Sequence, residues 1–385
     1  MSALFAAFDA HPSPKGASTH IAQSVRALGR TWLTVHVATL EGTRPATSED
    51  GLMPHAFASR EPDLLRRARD WGRWLVDLVQ GLPELELIHV RDAWSLEPLR
   101  EAGCLVGRRV VFEMNGLPSV ELPTRAPRVR QAPGLLEHLR RLEVASLRAS
   151  DRVIAVSEVG RRFVESLGVD SGRIDVVPNH AHLPEGLPAP GTGTGLCYFG
   201  TLSAWQGFET LLEAWMLLDA AGDGPSLSVF ASSPKGVSAL RERAAREGWL
   251  GKLRIEQGLD RETLWREVAG CAVAVAPLRR CERNLVQGCS PLKLLEAMAC
   301  GVPVVGSDLP VCRELTVPEA CVLVEPDSPR ALAHALEALL ADPARRARMG
   351  AAGRAHVAQV HGEDGWIDAM VRVHRRALET SGKEP

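Results

Sequence analysis

Short aliphatic or β-branched runs alternate with helical stretches along the whole chain, and the pattern runs twice, once on each side of a Pro/Gly-rich break. In the first half the runs are Leu4–Phe8, Trp32–Thr39, Leu85–Val90, Arg108–Met114, Arg152–Val156 and Ile174–Val177. Helices are expected from about Ser18, over Glu61–Gln80 and within Ala126–Ser150. In the second half the runs are Leu196–Phe199, Leu227–Phe230, Leu253–Glu256, Ala272–Pro277, Val302–Ser307 and Cys321–Val324. Helices are expected at Phe208–Ala220, Val237–Arg246, Arg261–Val268, Pro291–Ala299, Pro329–Leu340, Pro343–Val360 and Gly365–Leu378. Strands alternating with helices require parallel sheets covered on both faces. The break, residues 184–195 (PEGLPAPGTGTG), is expected to be a hinge. Its GTGTG precedes a strand, whereas a dinucleotide turn follows one. The fold class expected is α/β, with two doubly wound, Rossmann-like domains facing across a cleft. Ligands in such sheets bind beyond the carboxyl ends of the strands.

Composition narrows the classes of function. The 385 residues carry a formal net charge of −2, which argues against bulk electrostatic binding to nucleic acid. No run approaches the about 18 apolar residues of a membrane span. The N-terminus lacks a basic region and reads as a first core strand, not a signal peptide. The eight cysteines form no CxxC pair and several sit in apolar runs, so reduced, buried thiols in a cytoplasmic protein are expected. Only five of 45 basic residues are lysines, which gives weight to those in loops.

Cys289–Asp308 (CSPLKLLEAMACGVPVVGSD) carries the most chemistry. Ser290 is read as an N-cap and Pro291 as the first helical residue, with Gly301 ending the helix. The free N–H groups of Leu292 and Lys293, together with the helix dipole, make an anion site. Lys293 opposes that dipole unless an anion is present, and Glu296 lies on the same face. A lysine for phosphate and a carboxylate for adjacent hydroxyls suit a sugar nucleotide. The plainer alternative is a solvated Lys293–Glu296 pair.

This segment resembles the donor site of the family 4 retaining glycosyltransferases, which have the GT-B fold. PSPKGASTHIAQSVRAL, ASDRVIAVSE, RIDVVPN and YFGTLSAWQGFETLLEAW fit the same family in order. VFEMNGLPSVELP and HVRDAW resemble one bacterial subgroup. The resemblance implies transfer of a sugar from a UDP- or GDP-linked donor, with retained anomeric configuration, no metal and no cofactor beyond that substrate. It implies an acceptor-side domain over residues 1–183 and a donor domain over residues 196–360. The helix of residues 361–385 would return to the first. Glu296 would bind the ribose hydroxyls, and Ser290, Pro291 and Leu292 would set backbone at the diphosphate beside Lys293. Gly16 would admit the phosphates closely, with Lys15 and Ser18 as contacts.

The sequence also departs from the family. Gly288 stands where a Glu–seven residues–Glu pair would place its first carboxylate. Thr201 and Gln206 replace basic residues of the GRL…KG segment, leaving Lys293, Arg279, Arg280 and Arg283 to steady the diphosphate. Asn115 replaces a histidine, so it can hydrogen-bond a hydroxyl but cannot take a proton. Glu113 is then the candidate base or sugar ligand, with His11, Arg91 and Asp92 near strand ends. Asn179 and His180 are expected to shape the turn into the hinge. The acceptor is expected to be a glycan, lipid-linked or small-molecule one. The Arg-rich helix around Leu135–Leu147 either packs on its own sheet with a solvated Arg face, the favoured alternative, or makes peripheral contact with the inner face of a membrane, which would suit a lipid-linked acceptor. Two rival readings are a non-catalytic nucleotide- or partner-binding homologue, motivated by these departures, and a nucleotide-sugar epimerase.

Overall fold

A computed structural model describes residues 2–13, 16–43, 51–125, 127–219 and 222–379. The chain divides into two compact units. The first comprises the described residues of Met1–Val177 with Gln287–Cys289 and those from Trp366 onward; the second comprises Pro178–Val286 and Ser290–Gly365.

The first unit holds seven parallel strands: β1 (Ser2–His11), β2 (Thr34–Glu41), β3 (Leu52–Phe57), β4 (Leu85–Val90), β5 (Arg109–Met114), β6 (Arg152–Ala155) and β7 (Ile174–Val176). Their order is 3-2-1-4-5-6-7. The period-two alternation of β1 divides the core between the two faces. Ala3, Phe5 and Ala7 pack with Ile21 and Leu28 of helix Gly16–Gly29 and with Trp366, Ile367 and Met370 of helix Glu363–Glu379. Leu4 and Ala6 pack on the other face with Trp71, Leu75 and Val79 of helix Leu64–Gln80.

The second unit repeats the plan with β8 (Leu196–Gly200), β9 (Leu227–Ala231), β10 (Leu253–Gln257), β11 (Val273–Ala276), β12 (Val304–Ser307) and β13 (Cys321–Val324). They are ordered 10-9-8-11-12-13. This is the doubly wound Rossmann order, with switch points between β1 and β4 and between β8 and β11. Tyr198, Val229, Val273 and Val305 build its core against Trp215 of helix Phe208–Leu218 and Leu336 of helix Pro329–Leu340.

Several local expectations need correcting. Strand β3 was not anticipated. Helix Leu64–Gln80 starts behind Asp63, whose carboxylate accepts the Arg66 N–H at 2.9 Å, and not at Glu61. The Arg-rich segment is described as helices Pro118–Arg125, Pro127–Arg130 and Pro133–Ala149, each opening on a proline, as suits a first turn, with Pro123 inside the first of them. No helix is long and apolar enough to cross a membrane, among the described residues.

Candidate active site

In the second unit, helix Leu292–Ala299 is capped by Pro291, not Ser290. The Ser290 hydroxyl accepts the Asn179 N–H at 2.9 Å, and the Ser290 carbonyl accepts Asn179 Nδ2 at 2.8 Å. Ser290 is therefore occupied in fixing the turn, and the first-turn N–H groups of the helix have no side-chain cap. Gly301 follows the helix in left-handed backbone, φ 74°.

Lys293 is 8% exposed, and its Nζ has no hydrogen-bond partner among the described residues. The ammonium lies 4.0 Å from the centre of the buried Tyr198 ring. Burial pushes its pKa down to about 7, against weaker opposing pulls from Cys312 and Glu296. A buried cation at a helix N-terminus, where the dipole also opposes it, is costly without an anion. Glu296, three residues on, is 17% exposed in its side chain and accepts Arg261 Nη2 at 3.0 Å. Burial raises its carboxyl above the ordinary range, with Arg261 and Lys293 opposing.

Two loops of this unit, after β8 and after β11, are tied together. The Trp205 carbonyl accepts the Arg279 N–H at 3.1 Å and Asn284 Nδ2 at 3.2 Å. Gly207, at φ 72°, passes so close to the Pro277 carbonyl that no Cβ fits. Arg283 stacks on Trp205 at 3.9 Å. Arg279 is engaged by Asp327 Oδ1 at 2.9 Å, and the Arg280 N–H by Oδ2 at 3.0 Å. Asp327 holds this position at φ 60°, the one positive φ of a non-glycine residue among those described. Thr201 accepts the Ser203 hydroxyl at 3.0 Å, and Gln206 is buried with Oε1 unpartnered among the described residues.

In the first unit Glu113 is 1% exposed and surrounded by donors. His20 Nε2 lies 2.6 Å from Oε1, Asn115 Nδ2 donates to the same oxygen at 2.6 Å, and Arg91 Nε is 3.6 Å away. His89 Nε2 stands 3.4 Å from Oε2, and its Nδ1 meets His374 Nε2 at 3.1 Å. Burial favours the neutral acid, but the His20 and Arg91 charges and the imidazole hydrogen bonds outweigh it and hold the carboxyl well below its usual range. Such a group is a poor proton acceptor, and its geometry suits holding Asn115 and His20 in place. Arg91 pairs with Asp9 (3.9 Å) and Glu113 and not with Asp92. Asp92 caps helix Ala93–Glu101 and accepts the Phe8 N–H at 2.8 Å; burial raises its pKa to about 6.

Helix Gly16–Gly29 begins at Gly16, earlier than Ser18. The Ser18 hydroxyl accepts the Ser13 N–H at 2.9 Å and meets His11 Nδ1 at 2.8 Å, so it closes its own loop. Lys15 lies outside the described residues. Gly288 stands at φ 81°, and a Cβ there would meet both Gly160 N and Ser157 Oγ at 2.5 Å. Ser157 Oγ accepts the Gly160 N–H that caps helix Glu158–Ser166, so the missing carboxylate has no room at this position. Beside it Gln287 Oε1 accepts the Leu117 N–H at 2.8 Å. Sequence reasoning missed His20, His89, His374 and Arg261. His20, one helical turn after Gly16, and His89, which opens the HVRDAW segment, carried a local signal; His374 and Arg261 carried none.

Two family models match the chain almost end to end, "Glycosyltransferase Family 4" over residues 14–183 and "Glycosyl transferases group 1" over residues 182–356. A D-inositol 3-phosphate glycosyltransferase from Kineococcus radiotolerans is 26% identical over 270 residues, 61% of this chain and 59% of that protein. The match thus spans about three-fifths of that relative's length. Sucrose-phosphate synthase from Thermosynechococcus elongatus superposes with a TM-score of 0.80 at 18% identity, covering 98% of this chain and all of that one. HepE from Anabaena, solved in complex with UDP, gives a TM-score of 0.71 at 17% identity over 97% of this chain and 100% of its own. With two parallel Rossmann-type sheets and both family models matched in sequence order, the chain belongs to the family 4, group 1 glycosyltransferases and has the GT-B fold.

Proposed function

We propose that the chain is a retaining, metal-independent glycosyltransferase that uses a UDP- or GDP-sugar. The observation that carries this reading is Lys293, a buried ammonium with no hydrogen-bond partner among the described residues, at a helix N-terminus without a side-chain cap one turn before Glu296. A diphosphate would answer both the ammonium and the free N–H groups, and Glu296 would take the ribose hydroxyls. Residues 196–360 are proposed as the donor domain, residues 1–183 as the acceptor side and residues 184–195 as the linker.

In the proposed reaction, the bond from the donor's anomeric carbon to the diphosphate oxygen breaks. The acceptor oxygen bonds to that carbon on the same face, and its proton passes to the departing phosphate. The protein then acts by positioning and by stabilising charge on the leaving group. Asn115, held by Glu113, is proposed to hydrogen-bond a sugar hydroxyl. Arg283 and the Arg279 loop are proposed to flank the diphosphate. The acceptor is a glycan, a lipid-linked sugar or a small polyol; Arg140, Arg141 and Arg148, exposed on helix Pro133–Ala149, would suit an anionic surface.

A second reading, nucleotide binding without transfer, is favoured by Gly288, where no carboxylate can reach a sugar. Titration calorimetry with UDP, GDP, ADP and CMP, followed by turnover of the matching nucleotide sugars, separates the two. Binding by one nucleotide, lost in Glu296→Ala, with release of that nucleotide from its sugar, supports the transferase. Binding without turnover on any sugar or acceptor supports the second reading, and unchanged binding in Glu296→Ala removes the site assignment.

A further inference from the structure

Arg261 has no part in the reading so far, yet it makes the one hydrogen bond to Glu296 among the described residues. It opens helix Arg261–Ala269 behind the N-cap Asp260, whose carboxylate accepts the Thr263 N–H at 2.8 Å, so its backbone is anchored just beyond the carboxyl end of β10. Its guanidinium is anchored as well, lying 5.4 Å from the centre of the Trp265 ring one turn on. Trp265 is itself backed by the His182 imidazole, stacked at 5.0 Å with 15° between the planes. An exposed ion pair contributes little, because two mobile side chains lose entropy to meet in water. Here one partner is largely buried and the other is laid on an aromatic platform, so most of that entropy is already lost.

We infer that Arg261 is a positioning residue for the nucleotide: by holding Oε1 it fixes the plane of the Glu296 carboxylate and leaves Oε2 to the ribose hydroxyls. The inference rests on the nucleotide site proposed above. The ionisable groups facing Glu296 are Arg261 from the neighbouring helix, and Lys293 and Cys300 from its own. Burial already pushes the Glu296 carboxyl towards its neutral form, and Arg261 is the first of the two charges opposing this. A neutral acid is a weaker acceptor for a hydroxyl than a carboxylate. Removing Arg261 therefore adds a pH dependence of nucleotide binding, through Glu296, to the one that Lys293 gives the wild type.

The test is titration calorimetry of UDP and GDP with the full chain, in wild type, Arg261→Ala, Arg261→Lys and Glu296→Ala, from about pH 5.5 to about pH 8.5. Arg261→Ala is expected to bind about tenfold more weakly than wild type near about pH 6. The gap should shrink to about threefold at about pH 8.5, because rising pH favours the charged carboxylate. Arg261→Lys, which keeps the charge, should recover most of the affinity at low pH, a rescue that a merely structural role would not show. Wild-type affinity in Arg261→Ala, a gap that does not change with pH, or tighter binding by Arg261→Ala would each overturn the inference. Tighter binding would mean that Arg261 competes with the ribose. A different result marks failure of the underlying reading: no binding by wild type, or full binding by Glu296→Ala.

Discussion

Glu113 in the first unit and Glu296 in the second are both taken out of water, and they are held in opposite ways. Around Glu113 the protein gathers Arg91, His20, His89 and Asn115 within 3.6 Å, an opposite charge and three polar groups from its own unit, although Asn115 makes the one hydrogen bond of good geometry to the carboxylate among the described residues. Around Glu296 the described residues supply one side-chain partner, Arg261, and a neighbouring lysine whose Nζ has no hydrogen-bond partner among them. The contrast lies in charge: the Glu113 carboxylate has a guanidinium beside it in its own unit, whereas the Lys293 ammonium faces the Tyr198 ring and has no carboxylate in hydrogen-bond reach among the described residues. That contrast supports a structural role for Glu113 and the nucleotide site proposed at Lys293 and Glu296.

The largest expected effect tests the Glu113 cluster. Glu113→Leu removes the counter-charge of Arg91 and the acceptor of two imidazoles, and should cost about 3–5 kcal/mol in urea unfolding. A loss under about 1 kcal/mol would mean that the cluster does not hold its unit together. Gly288→Glu comes next. It combines a positive φ with a Cβ driven into the helix cap at Ser157 and Gly160, and should cost about 3 kcal/mol without improving turnover. A tolerated glutamate with raised turnover would show that the missing carboxylate can be restored.

The site proposed at Lys293 and Glu296 is probed by pH. Lys293 holds its proton less tightly in the folded chain, at about 7, than in the unfolded chain, near 10.5. Unfolding therefore takes up a proton in this window, and stability should rise with pH, by about 2 kcal/mol between about pH 7.5 and about pH 9. Lys293→Met should flatten that rise and weaken nucleotide binding. At about pH 8 wild-type binding should consume a proton, read as a dependence of the calorimetric heat on buffer ionisation. The absence of both effects would place the lysine outside the site. The smallest effect is expected from Asp327→Gly. Relief at φ 60° offsets the lost contacts to Arg279 and Arg280, leaving stability within about 1 kcal/mol, so any fall in nucleotide affinity would report on the Arg279 loop.

Most of the fold was legible because its signals are local. Runs such as VVFEM and VAVAP read as buried strands whatever surrounds them, and prolines and glycines mark the breaks. The strand Leu52–Phe57 escaped notice because it is a half-exposed edge strand containing Pro54 and His55, a pattern that edges tolerate and central strands do not. Helix Leu292–Ala299 was legible to within one residue. Its cap was misread because Ser290 is drawn to Asn179, 111 residues away.

The sequence by itself determined the two doubly wound sheets and the spacing that puts Lys293 and Glu296 on one helical face, because periodicity and helix geometry act over a few residues. It did not determine which of the polar groups would be answered. Glu113 meets His20 from helix Gly16–Gly29 and His89 and Arg91 from the end of β4, His374 joins from 285 residues beyond His89, and Arg261 reaches Glu296 across 35 residues. Only tertiary packing brings such groups together. Burial then sets the chemistry of each group, holding the Glu113 carboxyl among donors in its own unit and lowering the pKa of the Lys293 ammonium.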